Sequence, residues 1–134
     1  MRSTRATGTL GEEAAILDLE RRGLRLVDRN VQFGPKSGLK GELDLIAWDG
    51  DTLAFIEVKT RRGRPGRVAP SENITHAKRR QLAQLAQTYA ARHGLLDDDD
   101  AGISLRFDVV SVFLGEDDAV LAVHHTRGAF LAGD

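Results

Sequence analysis

The chain has 134 residues, 41% of them hydrophobic and 29% charged, with a formal net charge of -1; this suits one domain with one hydrophobic core and leaves no room for two. It has no cysteine, which excludes disulfides and thiolate metal sites and makes a reducing, cytoplasmic compartment the expected home. No apolar run approaches a membrane span or a secretory signal, so the expected organisation is a flexible N-terminal tail over residues 1–9 and a single domain over 10–134.

A first helix is expected to start near Gly8 to Leu10 and to stop at Gly23. Within it Glu12 precedes Ile16 and Leu19 on an apolar stripe, whereas Glu13 shares its stripe with Glu20, so Glu12 is the acid expected to point inward. Leu24 to Phe33 reads as an irregular first strand and Gly34 to Lys40 as a loop. Gly41 to Trp48 alternates as a second strand, Asp49-Gly50 is a hairpin-turn signal, and Thr52 to Thr60 reads as a third strand. Arg61 to Pro70 is a basic loop. Thr75 is a plausible N-cap for a second helix to about His93, closed by Gly94, with Leu82, Leu85, Ala86 and Tyr89 as its apolar face. An acidic loop over Asp97 to Gly102, a fourth strand over Ile103 to Leu114 and a fifth over Ala119 to His125 complete the order α-β-β-β-α-β-β, a mixed β-sheet flanked by helices in an α/β fold.

The chemistry concentrates on the central hairpin. Strand side chains alternate faces, so Glu42 and Asp44 share one face, as do Glu57 and Lys59. A two-residue loop at Asp49-Gly50 makes Asp44 and Glu57 diagonal neighbours, a four-residue loop sets them opposite each other, and a three-residue loop separates them. Three carboxylates beside one lysine repel one another, and burying them without a counterion would cost several kcal/mol, roughly, or shift their pKa values. A hard divalent cation such as Mg²⁺ (or Mn²⁺) resolves the conflict. The competing account is a cross-strand salt bridge on a solvated face.

Gly8-Thr9-Leu10-Gly11-Glu12, Gly41 to Ala47, Phe55-Ile56-Glu57-Val58-Lys59, Ile74-Thr75 with Lys78, and Arg106 to Val110 together resemble the bacterial YraN-like family of endonuclease-like proteins. Asp44 followed by Glu57-Val58-Lys59 across a hairpin also looks like the core of the PD-(D/E)XK nuclease superfamily, similar in layout to archaeal Holliday junction resolvases. Where that superfamily's name motif has a proline before the aspartate, Leu43 stands here. The resemblance implies a restriction-endonuclease-like core in a nuclease-like domain, and a divalent-metal-dependent endonuclease acting on branched or structured DNA. It assigns metal ligation to Asp44, Glu57 and Glu12 and catalytic assistance to Lys59. It also suggests a homodimer, because a four-way junction has two strands to cut.

Other residues have two readings each. Glu42 is either a partner standing behind the site or a solvated strand residue. Lys78 either reaches the site or a phosphate backbone, or covers the edge of the core. Arg61, Arg62, Arg64 and Arg67 suit nucleic-acid phosphate contact or a solvated loop. Asp108, His124 and His125 read as structural, and Asp97 to Asp100 as a solvated loop. The alternative to an enzyme is a nucleic-acid-binding module that keeps the scaffold without activity in isolation; a further one is a protein-interaction domain with an acidic and a basic side.

Overall fold

The computed structural model describes residues 4–66, 74–96 and 103–130. The elements are α1 (Thr4–Arg21), β1 (Arg25–Val31), a single 3₁₀ turn (Pro35–Ser37), β2 (Leu43–Asp49), β3 (Thr52–Arg62), α2 (His76–Arg92), β4 (Ser104–Leu114) and β5 (Val120–Phe130). They build an α/β fold in which one five-stranded mixed sheet, ordered β1-β2-β3-β4-β5, carries the two helices. β3 and β4 run parallel, joined by the crossover that contains α2; the other neighbouring pairs are antiparallel. No helix among the described residues is long and apolar enough to cross a membrane.

Each helix covers one face of the sheet. Ala15, Ile16 and Leu19 of α1 pack on Leu45, Ala47, Ile56, Val110, Val112 and Leu114. Leu82, Leu85, Ala86 and Tyr89 of α2 pack on Ile46, Leu53, Phe55, Phe107 and Val109. Because alternate residues of β3 belong to the two cores, Phe55, Glu57 and Lys59 take the α2 side, and Ile56, Val58 and Thr60 the α1 side. The N-cap reading of Thr75 holds: its hydroxyl accepts the Lys78 N–H at 3.1 Å.

Four sequence expectations are corrected. α1 begins at Thr4, so residues 4–9 of the expected tail are helical. The signal that misled is glycine: Gly8 and Gly11 read as a helix boundary but lie inside the helix. Gly11 is there because the helix meets β3 at this point; a Cβ on it would collide with Thr60 Oγ1. Arg61 and Arg62 are not loop residues but continue β3, paired with Phe113 and Leu114 along an eleven-residue parallel ladder. β5 runs past His125 to Phe130, because a register shift between Phe107 and Val109 absorbs Gly128 (φ 60°) and lets Phe130 pair with Phe107. The central turn is Gly50-Asp51, one residue later than expected, with Asp49 paired to Thr52. Arg67 and Asp97 to Asp100 lie outside the described residues.

Candidate functional site

The one-residue displacement of the turn decides the geometry of the site. With Leu45 paired to Ile56, the next residues along the two strands, Asp44 and Glu57, stand opposite each other. Here the ladder gives way to a side chain: the Val58 N–H donates to Asp44 Oδ2 at 3.0 Å. Glu57 is only 9% exposed, on a central strand. Lys59 follows on the same face, with Nζ 3.9 Å from Glu57 Oε1.

Asp44 also belongs to a second cluster on its other side. Glu12 from α1, Glu42 and Asp44 each present a carboxylate oxygen, and these oxygens lie within 4.8 Å of one another. Glu12 reaches this point because the Gly11–Thr60 approach sets α1 close against β3. The sequence-expected ligands Glu12, Asp44 and Glu57 therefore meet around Asp44, but Glu42 rather than Glu57 completes the tight triad. Carboxylate oxygens suit a hard divalent cation, and the triad could hold a metal ion.

The electrostatics record the strain of bringing these groups together. Burial, then the charge of Glu57, pushes the Asp44 pKa from 3.8 up to about 7; the Val58 N–H offsets part of this. Burial likewise raises Glu57, against the pull of Lys78, then Lys59, then a hydrogen bond with Asp44. Glu12 is raised by burial and by Asp44 and Glu42, while Asn30 and Arg29 draw it back. Lys78, at the start of α2, thus acts on both Asp44 and Glu57.

Sequence reasoning missed Asn30 and Gln32. Asn30 lines a cavity with Glu12 and draws its pKa down, and Gln32 Nε2 donates to Glu42 Oε2 at 3.2 Å. The available signal was the alternation of Asp28, Asn30 and Gln32 with Val27, Val31 and Phe33. The expected phosphate-contacting arginines divide. Arg62 is engaged within the fold, paired to Asp118 at 2.6 Å and donating to the Gly115 carbonyl and Thr7 Oγ1. Arg61 is half-buried on β3, and Arg64 is exposed just beyond it. His124 is exposed. His125 and Asp108 form a buried structural network instead. Asp108, fully buried, accepts from Arg106 (2.8 and 2.9 Å), from the Gly128 N–H (3.0 Å), and lies 2.9 Å from His125 Nε2.

Comparison with known proteins places this arrangement in a family. Residues 11–112 match the model of the uncharacterised protein family UPF0102. A UPF0102 protein of Symbiobacterium thermophilum is 46% identical over 114 residues, 85% of this chain and 87% of the relative. One of Chlorobaculum tepidum is 37% identical over 131 residues (95% and 93%), and one of Geobacter sulfurreducens 38% over 125 residues (93% and 89%). Among solved structures, that of Pyrococcus furiosus SfsA in complex with Ca²⁺ overlaps 93% of this chain and 64% of its own, at 17% identity and a TM-score of 0.36, too loosely to carry an argument. The chain belongs to the uncharacterised protein family UPF0102, the YraN-like family.

Proposed function

We propose that this protein is a divalent-metal-dependent endonuclease of the PD-(D/E)XK type, with a restriction-endonuclease-like core, that hydrolyses phosphodiester bonds in branched or otherwise structured DNA. The observation that carries the reading is Asp44: it faces Glu57 across the central hairpin and meets Glu12 and Glu42 on its other side. Burial among neighbouring acids that raises a carboxyl's pKa in this way is characteristic of functional sites. Glu12, Asp44 and Glu57 would hold Mg²⁺ or Mn²⁺, with Glu42 beside them. The ion, when bound, supplies a Lewis acid for the phosphoryl oxygen and a lowered pKa for its water. The chain's own residues do the rest. Val58 N–H fixes the Asp44 carboxylate. Lys59 Nζ, tethered near Glu57, orients the attacking water or stabilises charge developing on the phosphate. Lys78 draws both Asp44 and Glu57 toward the ionised form by its positive charge, against the larger effect of their burial.

The test is cleavage of labelled single-stranded, duplex, flap and four-way-junction DNA in Mg²⁺ and in Mn²⁺, by wild type and by Asp44→Asn. Cleavage by wild type alone establishes the activity and names the substrate. No cleavage, or equal cleavage by both proteins, sinks it and leaves a binding scaffold inactive in isolation.

A further inference from the structure

Among the described residues, Glu57, Asp108 and Ser111 are the buried polar ones. Glu57 has Lys59 beside it, and Asp108 is bonded to Arg106, His125 and the Gly128 N–H. Ser111 differs. It is 0% exposed, and its hydroxyl has no hydrogen-bond partner among the described residues. Buried side-chain oxygens are nearly always bonded, and one left unbonded costs free energy that an alanine in its place would not. Packing alone does not call for a hydroxyl here. Phe107, Val109 and Phe113, which share a face of β4 with Ser111, are all apolar and buried.

Its place in the sheet is what sets Ser111 apart. β3 and β4 are in parallel register, with Glu57 beside Val109 and Lys59 beside Ser111. Side chains paired in this way stand on one face, so Lys59 and Ser111 are neighbours across a single strand gap. On its other flank Ser111 pairs with His124, whose ring is turned edge-on to Phe113 at 5.7 Å. Lys59 for its part is weakly held. Its Nζ is 3.9 Å from Glu57 Oε1, a charge contact too long for a hydrogen bond, and its side chain is 31% exposed. Glu57 is also one of the carboxylates assigned above to a divalent cation. A cation there takes up the charge that holds Lys59 and repels the ammonium besides. We propose that Ser111 is a positioning residue for Lys59: its buried hydroxyl accepts a hydrogen bond from the ammonium once the charge of Glu57 is taken up, and keeps the lysine on the sheet instead of releasing it to solvent. The proposal rests on the nuclease reading of Glu57 and Lys59.

The experiment reproduces that hand-over without metal. Glu57→Gln keeps the shape of the side chain and removes its charge. Wild type, Ser111→Ala, Glu57→Gln and the double variant are melted in EDTA, and exchange of the Lys59 ammonium protons is followed by NMR. In wild type, Ser111→Ala removes an unbonded hydroxyl, so the melting temperature is expected to stay the same or rise. In the Glu57→Gln background the hydroxyl has gained a partner, so the same substitution is expected to lower the melting temperature and to speed ammonium exchange. A serine with a merely structural role shifts both backgrounds alike. An effect of the same sign in both, or ammonium exchange in Glu57→Gln that is indifferent to Ser111→Ala, overturns the inference whether or not the protein cuts DNA. In the cleavage assay Ser111→Ala is expected to lower kcat roughly tenfold or more with KM unchanged, and to cost nothing further in a Lys59→Met background; an unchanged kcat overturns the inference alone. A wild type that cuts nothing overturns the nuclease reading, and the melting and exchange measurements still decide the contact between Lys59 and Ser111.

Discussion

Asp44 is the residue where stability and chemistry oppose each other. Its folded pKa of about 7 lies above the ordinary 3.8. Between those values the folded state keeps a proton that the unfolded chain releases, so stability without metal falls as pH rises from about 4 to about 7. Asp44→Asn keeps an oxygen for the Val58 N–H and abolishes the charge. In EDTA at pH 8 it is expected to melt several degrees above wild type, an advantage that shrinks toward pH 4; a melting temperature below wild type at pH 8 would contradict this. Added Mn²⁺ should raise the wild-type melting temperature at pH 8 and leave Asp44→Asn where it was. Asp108 has the opposite sign. It is buried, yet its pKa is lowered by His125, Arg106 and the Gly128 N–H. It stabilises the fold above its ordinary 3.8, and that contribution is lost as pH falls below it. Asp108→Asn leaves Arg106 with Asp49 as its remaining carboxylate partner and should cost about 1–3 kcal/mol in urea unfolding.

At the scale of elements, the approach of α1 to β3 places Glu12. Gly11→Ala drives a methyl group onto Thr60 Oγ1 and Cγ2. The expected cost is about 1–3 kcal/mol, with a weaker Mn²⁺ response because Glu12 moves away with its helix. Thr60→Ala should recover part of both losses; no recovery would place the strain elsewhere. The same contact explains why the helix start was illegible: glycine in a sequence marks either a boundary or a close approach, and only the packed sheet distinguishes them. α2 was legible because its cap, its apolar face and Gly94 are all local signals. The hairpin was legible in kind, and its register was narrowed to three, of which the structure adopts the one that sets Asp44 opposite Glu57. Asp49-Gly50 announces a turn, and sliding it one residue, to Gly50-Asp51, moves Asp44 from the diagonal to the position opposite Glu57. Both placements were open from the sequence and both share a face, so the pairing of these carboxylates did not depend on choosing between them. Glu42's place in the triad did not emerge, because it depends on where α1 ends up, and no local pattern encodes that.

Across the whole molecule, a net charge of -1 means that any grip on a polyanion must be local. The arginines after β3 are not equivalent in that respect. Arg62→Ala breaks contacts to Asp118, Gly115 and Thr7 and should lower the melting temperature. Arg64→Ala should leave it unchanged while weakening retention on DNA at low salt. The reverse pattern would remove this end of the sheet from the binding surface. The parallel pairing of β3 with β4 has a further consequence. Glu12, Glu42, Asp44, Glu57 and Lys59 are all translated before α2, yet β3 gains its second neighbour only when β4, ending at Leu114, has been made. At roughly 5–20 residues per second, the nascent chain spends several seconds with an apolar strand open along one edge and its acids already gathered beside it. A fragment trimmed to the acidic motif would be caught permanently in that condition, prone to aggregate. The half of the chain that carries the acidic cluster is therefore expected to need β4 before it can hold its shape.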